Sequence, residues 1–506
     1  MVNIDTLIQH QGHLFEKKKS LDSLHQEIAD NFYPERADFT VNRYLGEEFA
    51  EHLMSSYPVV ARRDLGDSFS AMLRRDNWFE IRLAREERET YEVKRWLESA
   101  TGIMRRAMYD RPARFVRATK EGDHDFAAFG QAVLSVEVNR GEQRLLYRNW
   151  HLRDCAWCEN ESGEIDTVYR KWKPTVRELA AKFKTISPQL EAIKTKEPYR
   201  EVECGHCVMP GDKRKYKSIY YDCENKFIFE EVDTDHFMYV IPRWSTVSGS
   251  QYAYSPAVIA SLPDARLIQA ITLTLLEAGE KYTSPPLLAT QEAIRSDVNL
   301  MPGGITWVDA SYDERLGEVL RPISQDKSGF PAGFNIRDDV KEAIAQAFYL
   351  NKLNLPPQGD MTAYEVSQRI QEYIRQALPL FAPMESEYNG GLCDATFELM
   401  MSHGAFGSDI PEDLLGQEVK FEFDSPLRAS EGRAKSAAFQ EMLELMGLGA
   451  QVDPNISANI DIHEAFREAS DGVGVPADWV VDEDAAAEIV QERQAMAQIQ
   501  KLADVG

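Results

Sequence analysis

The sequence is short of positive charge. Its 57 lysine and arginine residues face 83 aspartate and glutamate residues, which gives a formal net charge of −26 over 506 residues. Such an excess of acid argues against a surface that grips nucleic acid by neutralising phosphates, although DNA could still pass nearby without sticking. Plain solubility is the simpler explanation of the acidity.

Signals for secretion and membrane insertion are also lacking. Asn3 to Leu24 mixes histidine, glutamine and glutamate with its hydrophobic residues, so we expect no secretion signal. The most apolar window, Ala265 to Ala278, contains Arg266, Gln269 and Glu277 and is short for a bilayer span. We therefore expect a protein of the cytoplasm that does not enter a membrane.

Motifs for common chemistry are missing as well. The patterns Gly-x-x-x-x-Gly-Lys-Ser/Thr, His-Glu-x-x-His and Gly-x-Ser-x-Gly do not occur. The ten histidines are scattered, and acidic pairs such as Glu86-Glu87 are most simply solvated faces. We assign no catalytic residue and expect no enzymatic activity, no cofactor and no metal.

Cysteine is scarce, but four of the six cysteines form two Cys-x-x-Cys pairs. Cys155 with Cys158 and Cys204 with Cys207 have the spacing of zinc ribbons, so the alternative function is a zinc-stabilised nucleic-acid-binding protein or nuclease. Against zinc, the second pair begins 46 residues after the first ends. Both segments also fit short strands, in which the cysteines of a pair point to opposite faces. We favour strands over a metal site.

Helical and strand-like patterns divide the rest of the chain. With 43% hydrophobic and 10% aromatic residues the chain can build large cores, and its length predicts two or more domains or an elongated protomer. Residues 1 to 110 are predicted to be mostly helical, whereas near-alternating runs predict a β-rich region from Phe126 to Trp244 with a helix inserted near Pro174. The predicted fold class is α+β.

A very apolar helix is predicted after the β-rich region. Ser255 and Pro256 supply a cap and a first-turn proline, and Pro263 is predicted to kink or restart the helix. Apolar residues then occupy nearly every face, which predicts a helix buried all round. The sequence alone favours a central core helix of one protomer, and the alternative is a helix that packs against neighbouring protomers of a ring. The segment from Pro285 to Phe334 is rich in glycine and proline and is predicted to be a loop-and-strand insert.

The most informative segment runs from Asn335 to Phe381. Two amphipathic helical patterns are separated there by a loop that cannot be helical, because Pro356 and Pro357 lack backbone N–H groups and Gly359 permits a positive φ. The chain then restarts at a capping box, Thr362-Ala363-Tyr364-Glu365. Periodicity alone predicts an ordinary helical hairpin that displays one loop.

Five tracts, in order along the chain, resemble the head-to-tail connecting proteins, or portal proteins, of short-tailed, T7-like bacteriophages. One of them is Met361-Thr362-Ala363-Tyr364-Glu365-Val366, and the collinear order makes the set more specific than any single tract. The other four tracts are Ile28 to Phe39, Tyr254 to Asp264, Lys281 to Leu287 and Gly472 to Trp479.

The resemblance implies a portal protomer with a wing, a helical stem, a clip insert and a helical crown, which assembles into a ring of twelve. At one capsid vertex such a ring would be the channel for packaging and ejecting double-stranded DNA. Its partners would be the terminase, a tail adaptor protein and the major capsid and scaffolding proteins. Its location would be the virion, after assembly in the cytoplasm of the bacterial host. The implied regions are the wing (1–250 and 363–425), first stem helix (251–283), clip (284–334), second stem helix (335–352), tunnel loop (353–362) and crown (426–506).

The resemblance also places the tunnel loop against the DNA. A channel with acidic walls repels the phosphate backbone, so that a few contacts at this loop would steady the duplex. Lys352 is a candidate phosphate contact, although a lysine that complements the dipole of a helix end is an equal alternative. The other candidate residues are Asn354, Leu355, Pro356, Pro357, Gln358, Gly359, Asp360 and Met361.

Overall fold

The computed structural model of the chain contains two compact units. Unit 1 comprises Met1–Leu24, Arg63–Pro256 and Lys352–Gly506, and unit 2 comprises His25–Arg62 and Ala257–Asn351. The structure describes the chain except for residues 1–2, 45, 48–49, 75–76, 86–89, 140, 284–286, 290–319, 323–328, 351–382, 424–425, 450–461, 476–478, 481–485, 487–488 and 490–506.

Helices and strands are mixed along the described residues. The helices are α1 (Ile4–Phe32), α2 (Tyr57–Leu73), α3 (Tyr91–Met108), α4 (Phe115–Phe129), α5 (Val176–Lys182), α6 (Pro188–Ile193), α7 (Pro256–Thr283), α8 (Gly329–Ala347), α9 (Gly391–Ser402), α10 (Pro426–Gly449) and α11 (Ile462–Val473). The strands are β1 (Phe79–Leu83), β2 (Val133–Asn139), β3 (Arg144–Trp150), β4 (Cys155–Glu159), β5 (Ile165–Trp172), β6 (Cys204–Pro210), β7 (Tyr216–Asp222), β8 (Phe227–Thr234), β9 (Tyr239–Val240), β10 (Ser245–Thr246), β11 (Ala253–Tyr254), β12 (Leu287–Ala289), β13 (Leu320–Pro322) and β14 (Val419–Phe423).

Unit 1 contains a five-stranded antiparallel sheet in the order β4-β5-β6-β7-β8. On one face, Leu7 and Leu14 of α1 share a core cluster with Tyr169 of the sheet. On the other face, the core cluster joins Val176 of the inserted helix α5 to Tyr220. Because both faces are covered by helices, most residues of β6 are buried whichever way they point.

Three polar side chains join this sheet to a second one of order β3-β2-β9. The Tyr239 hydroxyl lies 2.6 Å from His206 Nδ1 and 2.9 Å from the donating Arg170 Nε. His206 Nε2 lies 2.9 Å from Ser218 Oγ, and the Arg170 guanidinium lies 3.8 Å from the centre of the Trp150 ring. Burial, helped by the Arg170 charge, therefore lowers the pKa of His206 well below its ordinary value.

A buried ion pair links the helices of unit 1. Arg74, which follows α2, donates two hydrogen bonds of 2.7 and 2.8 Å to the Asp123 carboxylate in α4, and a third of 3.1 Å to Asn389 Oδ1. Only 2% of the Arg74 side chain and 1% of the Asp123 side chain are exposed. Burial raises the pKa of Asp123 above its ordinary value, and the Arg74 charge opposes that shift.

Unit 2 is held together at the base of α7 and α8. The side-chain oxygen of Gln269 accepts from the backbone N–H groups of Met54 and Ser55, both at 2.7 Å, and its amide nitrogen donates to the Ser55 carbonyl at 2.9 Å. The ring of Phe348, just after α8, lies 5.5 Å from that of Phe32. The segment 25–62 therefore anchors both long helices.

Helix α7 differs from its prediction in two respects. It continues through Pro263 as one helix of 28 residues, so the chain does not restart there. Among the described helices it is long and apolar enough to cross a membrane, which makes the expectation of too short an apolar window wrong. The window is only the middle of the helix. The expected burial on all sides is also wrong within the protomer, because buried residues occur only up to Ile268.

Most other sequence-based elements are found. The β-rich region is confirmed, and the predicted inserted helix is α5, which begins with a capping box at Thr175 and Glu178. One strand was missed in the region predicted to be mostly helical, namely β1, which pairs with the distant β14. Helix α8 begins at Gly329, six residues before the predicted start of the second stem helix.

We expect Asp123→Asn to destabilise unit 1 strongly. The substitution leaves Arg74 buried without a counter-charge, a loss of about 3–5 kcal/mol in the free energy of unfolding measured with denaturant. The control is Asp67→Asn, because Asp67 pairs with Lys120 at 3.3 Å in an exposed position and its loss should cost less than about 1 kcal/mol. Equal small effects of the two substitutions would contradict a dependence on the buried pair.

We also expect His206 to make the fold acid-sensitive. Its folded-state pKa lies below the unfolded value of about 6.5. The unfolded chain therefore takes up the proton first, so the stability present above that pH is lost as the pH falls below it. In His206→Gln, the decrease in Tm between about pH 7 and pH 5 should be smaller than in the unmodified protein. His236, whose pKa is lowered by burial to about 4, is present in both proteins. Equal decreases in Tm for the variant and the unmodified protein would therefore contradict a role of His206 in acid sensitivity.

Candidate stem and channel site

The predicted channel residues fall in a part of the chain that the structure does not describe. The described residues end at position 350 and begin again at Pro383. The residues concerned are Lys352, Asn354, Leu355, Pro356, Pro357, Gln358, Gly359, Asp360 and Met361, together with the capping box Thr362 to Glu365. Their position relative to DNA stays a prediction.

The structure does show the helix pair next to this segment, α7 and α8 of unit 2. A glycine at position 333 permits close packing, because a Cβ there would lie 2.8 Å from Leu275 Cδ2. Nearer the end of α7, the Tyr282 ring lies 6.4 Å from Phe330 in a stacked arrangement, and Phe330 meets Phe334 edge to face at 5.0 Å. Small and aromatic residues thus hold the two helices together.

An open groove runs between the distal halves of α7 and α8. Its charged lining residues are Glu280 and Arg337, and the Arg337 guanidinium lies 4.8 Å from the centre of the Phe334 ring. The rest of the lining is largely apolar and includes Leu275, Leu276 and Phe330. The groove has the composition of a surface that packs against protein rather than of a catalytic pocket.

Several apolar side chains of α7 are exposed, and the helical spacing puts them on more than one side of the helix. Leu267 is 45% exposed, Leu273 42%, Leu276 54% and Tyr282 56%. Burying one such side chain contributes about 1.5–3 kcal/mol, so exposed apolar residues on opposite sides of one helix favour cover by other molecules. The sequence predicted the apolarity of this helix, and the family resemblance favoured neighbouring protomers as its cover.

Neither α7 nor α8 carries an excess of positive charge. In α7 the acidic residues Asp264, Glu277 and Glu280 outnumber Arg266 and Lys281. In α8, three acidic residues likewise face two basic ones. Neither helix therefore offers a basic surface for tight phosphate binding.

The paired cysteines do not converge on a metal site. Cys155 and Cys158 lie in β4, Cys204 and Cys207 lie in β6, and β5 separates the two strands. The strand registers place Cys155 and Cys204 on one face of the sheet and Cys158 and Cys207 on the other. Among the described residues, no group of three His, Cys, Asp or Glu side chains could hold a metal.

The paired cysteines carry free thiols, and all of them except Cys158 are buried. Burial raises the pKa of Cys207 to about 12 and raises the pKa of Cys158 as well. The predicted strands are confirmed, and nothing in the sheet supports the zinc alternative.

These features define a protein whose site is an assembly surface, and comparison with known proteins identifies its class. Residues 5–481 match the model of the family described as bacteriophage head to tail connecting protein. The chain is 24% identical to the probable portal protein of Bordetella phage BPP-1, over 96% of this chain and 90% of that protein. It is 21% identical to the portal protein of Salmonella phage epsilon15, over 66% of this chain and 63% of that protein.

The chain belongs to the bacteriophage head to tail connecting protein family. The prediction of a structural portal protein in the phage virion is therefore confirmed, as is the α+β fold class. The assignment to T7-like phages and the boundaries of wing, stem, clip, tunnel loop and crown stay predictions.

Solved structures give weaker similarity. The neck of an empty gene transfer agent particle matches with a TM-score of 0.35 and 11% identity, over 76% of this chain and 86% of that chain. The virion of a native gene transfer agent particle matches with a TM-score of 0.32 and 9% identity, over 73% and 80%. At such TM-scores the similarity supports no conclusion about function.

Proposed function

We propose that this portal protein forms a closed ring at a capsid vertex, and that double-stranded DNA is packaged and ejected through the central channel. The family resemblance suggests twelve protomers. The proposed partners are the terminase, a tail adaptor protein and the major capsid and scaffolding proteins. The role of the chain is structural, and the energy for packaging comes from a partner ATPase.

The observation that carries the ring is the exposed apolar half of α7. Within one protomer, 42% of Leu273 and 54% of Leu276 remain exposed. In a closed ring every protomer has a neighbour on each side, so one contact type repeated around the axis covers every such face. The groove beside Leu276 extends the same surface.

A membrane is a poorer cover for α7 than a second protomer. Glu277 and Glu280 lie in the exposed half, where lipid contact would be costly. At the base, Arg266 forms an ion pair with Glu27, and Gln269 is fixed by its hydrogen bonds to Met54 and Ser55. These polar contacts suit a helix that packs against protein in water.

The proposed regions follow the family order. Helix α7 occupies the first stem helix, and α8 occupies the second stem helix and the end of the clip segment. Strands β12 and β13 pair antiparallel within the clip segment, and α10 and α11 lie in the crown segment. Strands β1 to β10 and β14 would belong to the wing.

The proposed tunnel loop begins close to the end of α8. The helix ends at Ala347, five residues before Lys352. This end of α8 is anchored by the buried residues Val340 and Ile344 and by Phe348 just after the helix. The proposed loop would therefore start from a fixed helix end. In the proposed mechanism the acidic walls keep the duplex from sticking, while the tunnel loop and Lys352 supply a few contacts that steady it.

We expect Leu276→Glu to prevent ring formation, because it places a charge in the apolar contact between protomers. The intact ring should have a mass several times 57.6 kDa and show a central pore in negative-stain images. The variant should remain a folded species of about protomer mass. Tyr199→Glu, at a 71% exposed position of unit 1, is the control and should still assemble. A stable monomer of the unmodified protein at micromolar concentration would overturn the ring proposal.

Deletion of Pro356 to Gly359 tests the tunnel loop. Because the loop is proposed to contact DNA and not the neighbouring protomers, we expect rings of normal mass that package or retain less DNA than unmodified rings. Packaging is measured as nuclease-resistant DNA per particle. Failure of the deletion variant to assemble would show that the segment is structural instead.

A further inference from the structure

The charge of the chain reverses locally where α3 leads into α4. From Arg105 to Lys120, six basic residues and one acidic residue, Asp110, give a net charge of +5, which leaves −31 on the rest of a chain whose total is −26. We propose that this segment of unit 1 binds the phosphate backbone of double-stranded DNA, at a site separate from the tunnel loop. The inference rests on the proposed function, since it requires DNA to be present in the particle.

Three exposed arginines, Arg106, Arg111 and Arg114, form what we name the arginine patch. Among the described residues none of them makes an ion pair with an acidic side chain. Within the part of the chain that the structure describes, the one side-chain hydrogen bond of the three is from Arg106 Nε to the Gly102 carbonyl at 3.1 Å, inside its own helix. Their terminal nitrogens therefore have no acidic partner among the described residues.

The neighbouring basic residues are partnered, which sets the patch apart. Arg117 pairs with Glu121 at 2.9 Å, and Lys120 pairs with Asp67 at 3.3 Å. The intervening Asp110 is taken by Arg144 of β3. The patch is thus the part of this basic segment whose charge is not compensated nearby.

The fold fixes the backbone beneath the patch. Arg111 lies in a 3₁₀ turn, and Arg114, with φ of 57°, sits in the left-handed region immediately before α4. The next residue, Phe115, is buried and contacts Tyr147 edge to face at 5.0 Å and Tyr109 at 5.2 Å. The arginines are therefore displayed from a rigid base, which lowers the entropic cost of binding.

The chemistry of the patch favours DNA over an acidic protein. Guanidinium groups bind phosphate oxygens in a bidentate manner, and phosphate contacts alone suffice for sequence-independent binding. A protein interface would need an apolar or aromatic centre. Here the large exposed hydrophobic residues of the segment are only Tyr109 and Val116. Since repulsion by distant acidic residues is screened beyond about 10 Å, the negative total does not prevent a local contact.

The test uses the assembled ring, whose mass and pore are verified first, and a fluorescent DNA duplex of arbitrary sequence. Binding is measured between about 50 and 200 mM salt for the unmodified ring and for the triple variant Arg106→Gln, Arg111→Gln, Arg114→Asn. Asparagine is chosen at 114 because it tolerates the left-handed backbone. The control variant Lys194→Gln, Lys196→Gln, Arg200→Gln removes the same charge from another exposed segment of unit 1.

We expect the patch variant to bind DNA at least about tenfold more weakly than the control, with a salt slope reduced by roughly one for each arginine that contacts phosphate. Equal weakening in the two variants would show a general charge effect and overturn the site. Unchanged binding by an assembled patch variant would overturn it too, while leaving the portal function intact. Loss of the ring in the patch variant alone would assign the arginines to a neighbouring protomer. Failure of the unmodified chain to form rings would instead refute the proposed function.

Discussion

The buried Arg74–Asp123 ion pair is the constraint on which the helical part of unit 1 depends. It joins positions 49 residues apart, and through Asn389 the same guanidinium reaches 315 residues along the chain. The Arg74 guanidinium also lies 4.7 Å from the centre of the Tyr388 ring. Burying two opposite charges costs desolvation energy, and this cost is offset only when the hydrogen-bond geometry of the pair is favourable. The α2 end, α4 and the π-helical stretch Met384–Gly390 must therefore be in place at once.

Much of the fold could be predicted from the sequence because the signals were local. Alternation gave the strands of the β-rich region, and apolar residues at helical spacing after Pro174 gave α5. The pairing of β1 with β14 could not be predicted, since the two strands are far apart in sequence and each is short. Buried charges such as Arg170, which sits over an aromatic ring, leave no periodic signal either. For the candidate site, periodicity predicted only a broken hairpin. The role of that hairpin came from the resemblance.

Helix α7 shows the limit of a correct pattern. Apolar residues on every face predicted burial all round; the sequence alone favoured a core helix of one protomer, whereas the family resemblance favoured packing against neighbouring protomers. Periodicity reports that a helix needs covering, but it does not report which chain supplies the cover. Composition has the same weakness, because a net charge of −26 is a sum over the chain and conceals a short segment of opposite sign. For a protein that must let DNA slide past, the arrangement of charge matters more than its total.

The two halves of α7 also couple folding to concentration. The base, fixed through Gln269, is complete within a single chain, whereas in the proposed ring the distal half would gain further apolar burial from other copies. Anything that binds the folded form alone stabilises it by mass action. The apparent stability of unit 2 should therefore rise with protomer concentration. In a newly made chain, the first half of α7 would be fixed by contacts within the protomer and the distal half would be less stable. Closure of the proposed ring would then complete the folding of this helix.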